Sequence, residues 1–93
     1  MATTQEQMKF INQKAMEQSI SLQRGNVTLT IGHVGETTMP LYESGGDFYL
    51  SQPAQNSWGC LAWPISEKDV LNIYRGLQEN PYRRSFSLSQ ERG

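Results

Sequence analysis

Residues 19–31 admit one β-hairpin whose register checks itself. Ser19-Ile20-Ser21-Leu22-Gln23-Arg24 and Val27-Thr28-Leu29-Thr30-Ile31 each alternate polar with apolar, around Gly25-Asn26. A two-residue loop of this kind turns antiparallel strands tightly. Pairing outward from it sets Arg24 opposite Val27, Leu22 opposite Leu29 and Ile20 opposite Ile31. The aliphatic side chains then share one face, and Gln23, Thr28, Ser21 and Thr30 the other. A slip of one residue would exchange the faces, so the pattern fixes the pairing. A competing reading carries an N-terminal helix on to Arg24 and stops it with a left-handed Gly25. The period of two on both sides of the loop favours the hairpin.

The rest of the chain arranges itself around that unit. Residues 4–18 read as a helix with Met8, Ile11 and Ala15 in line, and Thr3 with Glu6 (or Thr4 with Gln7) offers a capping box. Gly32-His33-Val34-Gly35 reads as a bend. Residues 37–43 read as a strand in which Pro40 demands an edge position or a bulge. Closing a second hairpin on Gly45-Gly46 pairs Tyr42 with Tyr49 and Leu41 with Leu50, tyrosines on one face and leucines on the other. Residues 58–63 read as a short strand. Ser66 caps a second helix, with Ile65 and Val70 at the positions of a hydrophobic staple. Its apolar face is Val70, Leu71, Ile73, Tyr74 and Leu77; Asn80-Pro81 ends it, and Gly76 weakens its last turn.

The expected fold is therefore α+β: an N-terminal helix, an antiparallel sheet of four to five strands built from hairpins, and a C-terminal helix packed on one face. Residues 1–81 form a single domain and 82–93 a C-terminal tail. Ser85-Phe86-Ser87-Leu88-Ser89 alternates, and three readings stay open for the tail: a last strand, a strand added to a partner's sheet edge, or a loose end.

With 93 residues, of which 37% are hydrophobic, the chain fills one lean core. Self-association is a reasonable expectation, because a second copy would cover apolar surface that one copy cannot. The formal net charge of -1 supplies no global field for nucleic acid or an anionic membrane. No apolar run approaches the roughly 20 residues that span a bilayer. The polar N-terminus does not read as a secretion signal, and with a single cysteine a reducing, cytoplasmic setting is expected.

Few residues invite chemistry. His33 is the only histidine, and no local motif ties it to Cys60 or Asp47; an exposed loop histidine is the favoured reading. Cys60, between Trp58-Gly59 and Leu61-Ala62, reads as a buried, inert core thiol. One cysteine and one histidine do not make a zinc site, and no phosphate-binding glycine loop is present. No cofactor or metal is expected. Tyr42, Tyr49, Trp58 and Trp63 lie in a block, residues 36–66, with no Lys or Arg, where Glu36, Glu43 and Asp47 repel phosphate.

These observations favour a small non-catalytic protein-binding module, a regulator or inhibitor acting by surface contact, over an enzyme. Its binding residues are expected to be Tyr42, Tyr49, Trp58 and Trp63 on one exposed face, with Arg83 and Arg84 in the tail. The expected partner is a protein, with a second copy of this chain as one candidate, and neither nucleic acid nor a membrane is expected. The alternative is a nucleic-acid-binding accessory protein using Arg24, Arg75, Arg83 and Arg84, if folding gathers them; the overall charge counts against it.

Overall fold

A computed structural model describes residues 2–53 and 59–89 of the chain. In order these form α1 (Thr4–Gln18), β1 (Ile20–Arg24), β2 (Val27–Val34), β3 (Thr37–Met39), β4 (Leu41–Ser44), β5 (Asp47–Pro53), β6 (Cys60–Ile65), α2 (Glu67–Glu79) and β7 (Ser85–Ser87). The class is α+β, with α2 packed against α1; Phe10 and Tyr74 meet edge-on between them at 5.4 Å. Among the described residues no helix is long and apolar enough to cross a membrane.

Local chemistry starts each helix. At α1 the Thr3 hydroxyl accepts from the Glu6 N–H at 3.1 Å, and the Glu6 carboxylate accepts from the Thr3 N–H at 2.8 Å. That reciprocal box holds the Glu6 carboxyl below its ordinary range, through the Thr3 backbone N–H first and the Thr3 side chain second. At α2 Ser66 Oγ accepts from the Asp69 N–H at 3.1 Å, and Ile65 and Val70 are both buried. Both hairpins take the expected registers, Leu22 opposite Leu29 in one and Tyr42 opposite Tyr49 in the other. The strand β2 does not stop at a Gly32–Gly35 bend. It continues through His33 to Val34, and the turn is confined to Gly35-Glu36.

The strands form two sheets rather than one: β3-β2-β1-β7, and β4-β5-β6. The division falls at Pro40. The β2–β3 register pairs Gly32 with Met39, and one step further would set Thr30 against Leu41. Because the two-residue loops close on hydrogen-bonded pairs, the N–H and C=O of Thr30 and of Leu41 point toward that missing partnership. Pro40 has no N–H, and beyond it the chain turns into the second sheet. Two carboxamides take up the separated groups. Gln52 accepts from the Thr30 N–H at 3.1 Å and donates to the Thr30 carbonyl at 2.8 Å. Asn12 accepts from the Leu41 N–H at 2.9 Å and donates to the Leu41 carbonyl at 3.0 Å. Each carboxamide turns one N–H and its oxygen to the separated residue and so stands in for a peptide of a neighbouring strand. Thus α1 is tied to the second sheet by Asn12, and the two sheets to each other by Gln52.

The core gathers Met8, Ile11 and Ala15 of α1, the aliphatic face of β1–β2, Met39, Leu41, Leu50 and Ile65, and Val70, Ile73 and Leu77 of α2. The described part of the tail completes it: Ser85–Ser87 is a last strand, parallel to β1, and Phe86 and Leu88 are buried. Gly76 explains how. The helix α2 runs past it to Glu79, and a Cβ at Gly76 would lie 2.5 Å from Phe86 Cε2, so the bare backbone seats the ring. Arg83 stacks on the same ring at 4.2 Å. Asp69, 1% exposed, then closes the end, its Oδ1 accepting from Ser89 N at 3.1 Å and Ser89 Oγ at 2.9 Å. The other close approach is at Gly32, with φ of +119°, where a Cβ would lie 2.5 Å from the Ala15 carbonyl oxygen.

Candidate functional site

The aromatic residues singled out by sequence do not form one surface. Tyr42 and Tyr49 are cross-strand neighbours on the outward face of β4–β5, half-buried, with ring centroids 5.8 Å apart. Trp63 pairs with Leu50, so it lies on the opposite face and packs on the core. The alternation of side chains along β6 decides this, since Pro64, and not Trp63, is the cross-strand neighbour of Tyr49. Trp58 lies outside the described residues. The outward face therefore carries Tyr42, Tyr49, Ser51, Pro53, Cys60, Ala62 and Pro64, and the last four are exposed.

This face has a sharp end and an open side. At the end, a cleft of about 520 Å³ is lined by Arg24, Asp47, Phe48, Tyr49, Pro64 and Glu67, among others. Arg24 Nη2 donates to the Pro64 carbonyl at 2.6 Å, and Arg24 Nε is buried with no hydrogen-bond partner among the described residues. The three-stranded sheet itself contains no cation, so Arg24 brings positive charge to an otherwise neutral or acidic surface. On the open side, β6 is an edge strand of six residues with β5 as its sheet neighbour. Cys60, Leu61 and Ala62 are exposed along it. This corrects the expectation for Cys60, which is an exposed free thiol and not a core residue. The apolar run around it reads as core, but no described strand covers it.

The remaining candidates stay apart. His33 is exposed on β2, its Nδ1 3.3 Å from Thr38 Oγ1, in a different sheet from Cys60. Arg84 lies next to the start of β1, where its carbonyl accepts from the Ser21 N–H at 2.8 Å. Arg24 ends β1, so four residues of extended chain, roughly 13 Å, separate the two. Arg83 is stacked on Phe86, and Arg75 lines a shallow depression with Ala2, Gln7 and Tyr74. The arginines thus form no common patch. Among the described residues, no three His, Cys, Asp or Glu side chains gather as metal ligands do.

Sequence reasoning missed Arg24 as part of the cleft, and it missed the free edge of β6. Pro64 was the available signal for the edge, since proline inside a strand marks a side that needs no N–H. Comparison with protein-family models, curated proteins and solved structures finds no match for this chain.

Proposed function

We propose that the protein is a small non-catalytic binding module that acts by contact between the outward face of its three-stranded sheet and a partner protein. The observation that carries this reading is the half-buried Tyr42–Tyr49 pair on the outward sheet face, with Tyr49 reaching the Arg24 cleft. Tyrosine and arginine are residue types that anchor interfaces, and a wall of Tyr49, Phe48 and Pro64 offers apolar area without long-range charge. A regulator or inhibitor in a reducing cytoplasm fits these features, with Cys60 kept as a thiol.

The test compares the native protein with Tyr49→Ala as baits in its own cell, followed by mass spectrometry. The reading expects a protein retained by the native chain and lost with Tyr49→Ala, while circular dichroism is unchanged. The same proteins on both baits, or none on either, would sink it.

A further inference from the structure

We propose that the free edge of β6 pairs antiparallel with the β6 of a second copy, joining two three-stranded sheets into one of six strands. The inference goes beyond the Tyr42–Tyr49 reading and uses the backbone edge of that sheet, not the side chains of its face.

The orientation of the backbone carries it. Gly45 and Gly46 have φ of +60° and +88°, a two-residue loop of the I′ kind, so Ser44–Asp47 and Tyr42–Tyr49 exchange hydrogen bonds. By alternation, Phe48, Leu50 and Gln52 turn their peptide groups to β6, and on β6 the partners are Ile65, Trp63 and Leu61. Cys60, Ala62 and Pro64 are left facing outward. Pro64 has no N–H, and its carbonyl is held by Arg24 at 2.6 Å. Among the described residues, what remains open on β6 is two donors and two acceptors, on Cys60 and Ala62.

That set is complementary to itself. A two-fold axis at Leu61 places Cys60 against Ala62 of the second copy, and four hydrogen bonds then use every open group. Moving the axis to Ala62 would set Cys60 against a proline, which cannot donate, so one register is preferred. Leu61, 53% exposed, comes to face Leu61 of the second copy. The strand carries no charged residue, so two copies meet without like-charge conflict. Natural edge strands are commonly guarded by charge or shortness. Here β3 and β7 have three residues each and β4 has four with its Leu41 groups held by Asn12, whereas β6 has six and no lysine. A second copy carries the same two donors and two acceptors at the matching spacing, so the edge supplies its own complement.

The purified protein is examined by light scattering across a concentration series. The expected result is a mass rising to twice that of the chain, with Leu61→Lys and Ala62→Pro held at the monomer mass. Leu61→Lys sits on an exposed side chain and keeps the fold, which circular dichroism checks, so it guards against failure of the proline variant. In a Cys60→Ala background, Leu61→Cys is expected to form a disulfide-linked dimer faster than Val34→Cys, an equally exposed position on the other sheet. A monomer at every concentration, a dimer indifferent to Leu61→Lys, or crosslinking no faster than at Val34 would overturn the proposal. None of these readouts involves a foreign partner, so they stand or fall separately from the Tyr49→Ala experiment.

Discussion

The four-stranded and three-stranded sheets start from the same kind of hairpin and end in opposite conditions. In the first, β1 and β2 bury an aliphatic face, and β7 is sealed at one side by Phe86, Leu88 and the Asp69–Ser89 contact. In the second, the inward face is equally buried at Leu41 and Leu50, but the outward face keeps a tyrosine pair and β6 keeps an unused edge. The first sheet buries its aliphatic face and its tail strand in the core, and its two edge strands have only three residues each. On the proposed reading, what the second has left over meets a partner, and stability and contact fall to separate sheets.

The largest effect that would break this contrast is expected at Phe86. Replacing it with alanine empties the seat over Gly76, and the loss should be about 3–5 kcal/mol in denaturant unfolding. If the four-stranded sheet is the stabilising half, the amides of Ser21 and Leu88, which bond Arg84 and Gln23 across β1–β7, should lose exchange protection first. A cost below 1 kcal/mol would mean that β7 contributes little and that the two sheets are not so different.

Next come the carboxamides that join the halves. Asn12→Ala and Gln52→Ala each leave a peptide N–H and C=O without partners, and each is expected to cost about 1–3 kcal/mol. Tyr49→Ala should be milder for stability, about 0.2–1 kcal/mol as for a cross-strand pair, because its face is not the core. A large loss there would make Tyr49 a structural residue and weaken the proposed contact.

The smallest effect concerns Glu6. Its carboxyl titrates lower in the folded protein than in the unfolded chain, so the stability it adds is present above the unfolded value. It is lost as pH falls through the folded one. Glu6→Gln keeps a capping-box residue that does not titrate. The difference in stability between native protein and variant should therefore shrink through that acid window and stay level above it.

The hairpins were legible because two signals agreed in each: a period of two, and a glycine-containing loop of two residues. Ser66, Ile65 and Val70 marked α2 for the same reason, since a cap and a staple are local. The separation into two sheets was not legible. Pro40 announced a defect, but its outcome depends on Asn12 and Gln52, which lie 29 and 22 positions from the residues they hold. The side on which Trp63 lies depends on its register to Leu50, which the strand pattern alone does not contain. The exposure of Cys60 is equally hidden, because an apolar run does not say whether another strand will cover it. Gly76 looked like a weakness in α2 and is a seat, visible only once Phe86 is beside it.

Residue-resolved hydrogen exchange, at a dilution where light scattering reports the monomer, tests the contrast between the halves most directly. The amides of Thr30 and Leu41, held by Gln52 and Asn12, are predicted to exchange slowly, and those of Cys60 and Ala62 at close to the rate of an open chain. Fast exchange at Thr30 and Leu41, or protection at Cys60 and Ala62 in the monomer, would contradict it.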